Sequence, residues 1–153
     1  MQLFRRFLVF QALLLWQGGF LFYSAVVISV GTDVVGSWTQ GLITRHVTDW
    51  MNGIGAVAVL ILAWDQISSR DTSGRRLRWW LWAVLAASLV GLIALHPVIE
   101  RWIDGTRGGS EDWYAAFYFW HRVYLYVATV QWFAGLAYVA ATLRAWSATR
   151  GPA

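Results

Sequence analysis

The chain has 153 residues, 58% of them apolar and 13% charged, with a mean hydropathy of +0.49. A soluble domain of this size could not hide so much apolar surface, so the composition excludes an ordinary water-soluble globule. The 12 basic residues are all arginine and outnumber the 8 acids; cysteine is absent, which excludes disulfides, iron–sulfur clusters, thiolate metal sites and cysteine nucleophiles.

Residues 1–6 form a short head ending in Arg5-Arg6, and no charge follows from 7 to 32. A secretory signal also opens on basic residues, but this apolar run is too long for one. No small-x-small cleavage site closes it, and Arg5-Arg6 lacks the rest of a twin-arginine motif. A first transmembrane helix is the expectation. Gln17 falls near its middle, and Ser24 continues the Gln17 face seven residues on. Residues 31–49 then read as a loop. Val34, Trp38 and Leu42 recur there every four residues, which predicts an interfacial helix or a forward extension of the next span.

The second span is short. Only 15 uncharged residues, 50–64, separate Asp49 from Asp65. At ~1.5 Å per residue they cover about 22 Å, less than a hydrocarbon core. The helix must draw His46 and Asp49, or Asp65, toward the membrane edge, where polar groups face a partner and not lipid. Residues 65–78 read as a polar loop with Gly74 and four arginines. The third span, 79–99, opens on Trp79-Trp80-Leu81-Trp82 as an interfacial anchor, and Pro97 is expected to end or kink it. Acids and arginines around Gly105, Gly108 and Gly109 fill the loop 97–121.

The fourth span follows His121-Arg122 with 21 uncharged residues, 123–143. His121, Tyr124, Ala128, Gln131, Gly135, Tyr138 and Thr142 alternate in steps of three and four, so one face of this helix is polar or small. Gln131, like Gln17, lies near mid-span, where an amide needs a partner in a neighbouring helix. Together these runs predict an all-α integral membrane protein. Four transmembrane helices (about 7–30, 47–67, 79–97 and 119–143) form an up-down bundle as one domain. Eight arginines fall in the N-terminus, loop 65–78 and the C-terminal tail, and four on the other side, which predicts both termini in the cytoplasm. The net charge of +4 fits attraction to anionic lipid and not a nucleic-acid footprint.

That topology puts His46, His96 and His121 together at the outer membrane face. Asp49 is i+3 from His46, and Glu100 is i+4 from His96 if the helix survives Pro97. Imidazoles beside carboxylates suit copper, zinc or haem iron, and His46 with His121 is the favoured axial pair for a haem b. Helix-end histidines that only bond a carbonyl or a headgroup are the plainer alternative, and no bound cofactor is the favoured outcome. Gln17, Ser24 and Gln131 read as polar packing contacts between helices, or as contacts to a quinone or substrate. No phosphate loop, dinucleotide fingerprint, zinc-protease motif or nucleophile elbow occurs, and no pair of mid-membrane carboxylates argues for a pump.

The segments WQGGFLFYSAVVISVG (16–31) and FYFWHRVYLYVATVQWFAGL (117–136) carry a likeness. The Trp/Gly-Gly opening of helix 1 and the aromatic-His-Arg-x-Tyr-Leu entry to helix 4 resemble the bacterial four-helix membrane proteins related to transmembrane protein 205. Those in turn are distantly like the copper-resistance D proteins. The resemblance implies a four-helix bundle and a tie to copper, although this chain lacks Met-rich or Cys-rich segments. The leading expectation is a non-enzymatic accessory or scaffolding subunit in the bacterial inner membrane, packed in lipid against larger membrane partners. The alternative is a copper- or haem b-binding protein using His46, His96, His121, Asp49 and Glu100. A small carrier or channel is the third reading.

Overall fold

Each uncharged run of the sequence forms the middle of a longer helix. The computed structural model describes residues 2–69, 74–106 and 111–148 as four helices: α1 (Gln2–Val35), α2 (Ser37–Ser68), α3 (Arg75–Thr106) and α4 (Glu111–Ala148). All four carry a stretch long and apolar enough to cross a membrane. Arg70, Arg107 and Arg150, counted in the arginine asymmetry, and the loop glycines Gly108 and Gly109 lie outside the described residues.

Residues 31–49 are not a loop. One residue, Gly36, with φ of 82°, turns α1 into α2, a backbone conformation that costs a side-chain-bearing residue strain. The stripe Val34, Trp38, Leu42 thus belongs to the ends of two helices, and α2 starts a full three turns before its uncharged window. Pro97 does not end α3 either; the helix runs on to Thr106. Proline removes one backbone bond, but α3 is held by α2 on one side and α4 on the other, and that packing offsets the loss. Much of the expected loop 97–121 is therefore helix, and Glu111 and Asp112 supply the acids that favour the first turn of α4.

Contacts down the bundle fix an up-down arrangement. Arg5, Trp16 and Tyr23 of α1 meet Asp65, Gly55 and Thr44 of α2, in descending order along the partner. The same reversal joins α2 to α3: the Trp82 indole donates to the Val59 carbonyl at 2.9 Å, and His96 reaches Asp49. Trp102 of α3 packs on Trp113 of α4, and Gln17 of α1 lies across Gly135 of α4. Neighbours in sequence are neighbours in space, and α4 closes the ring against α1.

The core is apolar and centred between α1, α2, α3 and α4, with Val9, Leu13, Trp16, Ala58, Leu62, Leu85, Leu89, Ala134 and Tyr138 buried. α1 departs from regular α-helix twice, with π turns at Leu14–Gly18 and Tyr23–Val27. Each π turn inserts an extra residue and rotates the rest of the helix. Trp16 packs on Gly55 and Gln17 on Gly135.

A polar layer lies beyond each end of this core. One holds Arg5, Asp65, Gln66 and Arg78; the other holds Arg45, Asp49, His96 and Glu100. Along α3 the two layers, at Arg78 and His96, are 18 residues apart. At ~1.5 Å per residue that is about 27 Å, close to the thickness of a bilayer's hydrocarbon core.

Candidate functional site

At the arginine-rich end Asp65, Gln66 and Arg78 are buried. Asp65 is 0% exposed, and its Oδ1 lies 2.8 Å from Arg5 Nε, while Arg5 Nη1 donates to the Ser68 carbonyl at 2.9 Å. Arg78 and Arg6 are near enough to act on the same carboxylate electrostatically. Arg6 also stacks over the Trp146 ring at 5.1 Å. Gln66, Tyr138 and Thr142 complete the layer, each 2% exposed or less. A carboxylate among guanidiniums with so little access to water ties α1, α2 and α3 together.

The histidine end is built differently, because it encloses a cavity of about 440 Å³ to which all four helices contribute. One wall is a closed hydrogen-bond chain between α1 and α2. The Tyr23 hydroxyl donates to Thr44 Oγ1 at 3.0 Å, and Gln40 Nε2 donates to the Tyr23 hydroxyl at 3.3 Å. Thr44 and Thr48 each return their hydroxyl proton to the carbonyl four residues back, at 2.9 and 2.8 Å. Gln40, Thr44 and Thr48 share one face of α2 because they are spaced by four.

A second wall is ionic. Arg45 donates through Nε to Glu100 of α3, which fixes the two helices at this level. Because α3 survives Pro97, His96 and Glu100 are stacked one turn apart, with His96 Nε2 3.8 Å from the Glu100 carboxylate. The other ring nitrogen, Nδ1, lies 3.2 Å from Asp49 Oδ1. Both nitrogens of His96 thus face carboxylates.

The third wall is the entry of α4. His121 stacks on Phe117 with centroids 5.6 Å apart and planes 18° from parallel, and Tyr124 lies one turn further in. Neither the His121 ring nitrogens nor the Tyr124 hydroxyl has a hydrogen bond to another described residue.

The structure therefore gathers His96, His121 and Glu100 around one cavity and attaches Asp49 to its rim through His96. His46 is exposed on α2 and does not line the cavity. Among the described residues no three of His, Asp and Glu converge closely enough to hold a metal ion. Of the polar packing residues, Gln131 is buried with its amide nitrogen lacking a hydrogen-bond partner, and Gln17 covers Gly135. Ser24 bonds its own helix, donating to the Phe20 carbonyl at 2.8 Å, and lines the cavity at its exposed side.

The described residues thus form an all-helical bundle of four helices of membrane-spanning length and apolarity, with an ionic knot at one end and a cavity of mixed polar and apolar lining at the other. No family model, curated protein or solved structure matches the chain.

Proposed function

We propose that this chain is a multi-pass inner-membrane protein, both termini cytoplasmic, acting as a non-enzymatic accessory or scaffolding subunit of a larger membrane assembly. The spacing of the two polar layers supports a membrane-spanning bundle, and the arginine asymmetry supports the orientation, with the Asp65 end at the cytoplasmic face. The observation that carries the subunit reading is a seam along α2. His46, Trp50, Gly53, Val57, Leu60, Trp64 and Ile67 alternate in steps of three and four, and all are exposed, Trp50 by 76%. That is the period of a helix-pairing stripe. A Cβ placed on Gly53 meets nothing within 4 Å, so the seam has a notch where another helix can approach closely. Lipid needs no such notch.

Purification from native membranes in mild detergent tests this. Larger partners should co-elute with the wild-type chain and be lost from Gly53→Leu, whose fold the open space protects. A monodisperse 17.4 kDa species from the wild type overturns the proposal.

The metal or haem reading draws on one observation, the convergence of His96, His121 and Glu100 on the cavity. The outward position of His46 and the lack of three converging His, Asp or Glu among the described residues weigh against it. A Soret band or stoichiometric copper in the purified protein would establish it over the subunit reading. The kinship with proteins related to transmembrane protein 205 belongs to the same proposal and rests on the entry to α4 and the Gly-Gly of α1 alone.

A further inference from the structure

The cavity at the histidine end has no part in a scaffolding role, and its polar groups are unevenly used. On the α1–α2 wall the hydroxyls of Tyr23, Thr44 and Thr48 and the amide of Gln40 are all engaged within the chain. On the ionic wall Arg45 is paired with Glu100, and His96 lies against Asp49 and Glu100. His121 and Tyr124 stand one turn apart on α4, line the cavity and, like Ser37 of α2, have no side-chain hydrogen bond to a described residue. Each can donate one hydrogen bond and accept another, so either can hold a ligand that carries an acceptor. Because Arg45 is already matched by Glu100, an anionic headgroup finds no surplus cation here. The acceptor is therefore uncharged.

The shape narrows the ligand further. About 440 Å³ falls within the range of small-molecule sites. The Phe117–His121 stack presents a flat aromatic surface on one side. Ser24 of α1 and Leu125 of α4 line the cavity and are both exposed, so it opens sideways between these helices, past the apolar Ile28. In a bilayer that mouth faces acyl chains. A ligand with a flat, neutral head bearing carbonyl acceptors, and a long apolar tail leaving through the mouth, satisfies all these conditions. We propose that the cavity binds a prenylated quinone, its ring against Phe117 and His121, one carbonyl accepting from His121 or Tyr124, and its tail between α1 and α4. The proposal concerns binding alone and does not depend on the accessory-subunit reading.

The test uses the full chain in nanodiscs of neutral phospholipid, titrated with a decyl-tailed benzoquinone and followed by calorimetry. One equivalent should bind saturably. Tyr124→Phe preserves the ring volume and removes the donor; it should weaken binding about 3–10-fold, the value of one hydrogen bond. Leu125→Trp should close the mouth and abolish saturable binding, while Val30→Ala, exposed on α1 outside the cavity, should leave it unchanged. Tail-less benzoquinone should bind at least about tenfold more weakly, because the tail carries apolar burial. Thermal melts of each variant separate lost binding from lost folding. Linear partitioning without saturation, equal binding by wild type and both cavity variants, or one-for-one displacement of the quinone by added phospholipid overturns the assignment; the last outcome would make it a lipid site.

Discussion

Arg5 Nε and Asp65 Oδ1 lie 2.8 Å apart at the arginine-rich end, and the carboxylate side chain is 1% exposed. The pair joins the first turns of α1 to the last turns of α2, where the helices would otherwise splay. Replacing Asp65 by alanine leaves Arg5, with Arg78 close by, short of its enclosed counter-charge. Removing one partner of a buried pair costs about 3–5 kcal/mol. Asp65→Ala should therefore melt far below wild type in detergent. The double variant Arg5→Leu, Asp65→Leu should recover a good part of that loss, since an apolar pair avoids the stranded charge. Equal melting of the single and double variants would show that the ion pair is not what holds this end.

The glycines of α2 provide a matched contrast within one helix. A Cβ on Gly55 would meet the Trp16 indole at 2.7 Å and Leu89 at 3.1 Å, and both side chains are buried in the core. Neither can yield without moving α1 or α3. Gly55→Ala should cost about 1–3 kcal/mol by overpacking. Gly53, two residues away, meets nothing, and Gly53→Ala should leave the melt unchanged or slightly raised through better helix propensity. Chemical or thermal unfolding of the two variants side by side reads the difference directly, and equal effects would contradict the close packing of α1 against α2.

Much of this architecture is legible in the residue order. Uncharged runs with the right length mark four helices; at the flanks of the short second span Asp65 is enclosed against Arg5, while Asp49 meets His96 but stays exposed and His46 faces outward. What escapes is set by packing. Proline at 97 reads as a helix end because a lone helix loses a backbone bond there; two flanking helices reverse that outcome. The π turns of α1 leave no pattern, since the inserted residue is a property of the backbone path and not of any side chain. Arg5 reads as topology signalling alone because its partner comes from the far end of the next helix. Gln40, Thr44 and Thr48 stand at a spacing of four, but the apolar stripe through Trp38 and Leu42 beside them is the stronger pattern and points to an interface. The cavity itself depends on how far α1 stands from α4, which no spacing encodes.

Gly31 underlies the closed wall of the cavity. A Cβ at this position would clash with Gln40 Oε1, and Gln40 is buried with its amide bonded to Tyr23 and Thr44. Gly31→Ala must push that amide away and break the chain of bonds. Each lost bond is worth about 0.5–1.5 kcal/mol, and an orphaned buried amide adds to it. The expected result is a lower melting temperature, accompanied by faster hydrogen exchange near the Gly36 turn. Thr44→Val should reproduce part of the loss with no steric insult, and exchange at this turn unchanged in both variants would contradict the wall's role.

Pro97 occupies the interior of α3 immediately after His96, and its ring cannot donate to the carbonyl of Ile93. Alanine there restores the missing backbone bond and relieves the clash with the preceding turn. Because Pro97 already sits within continuous helix, Pro97→Ala has no new conformation to find and should stabilise α3. The gain should fall below the roughly 3 kcal/mol that interior proline costs an isolated helix, since packing already offsets part of it. The His96–Glu100 contact depends on helical register across this same residue, so the variant should keep the Arg45–Glu100–His96 arrangement and not loosen it. Unfolding in denaturant, with a His96→Ala background for comparison, measures both effects. A less stable Pro97→Ala protein would mean that the proline sets a bend on which the ion pairs rely.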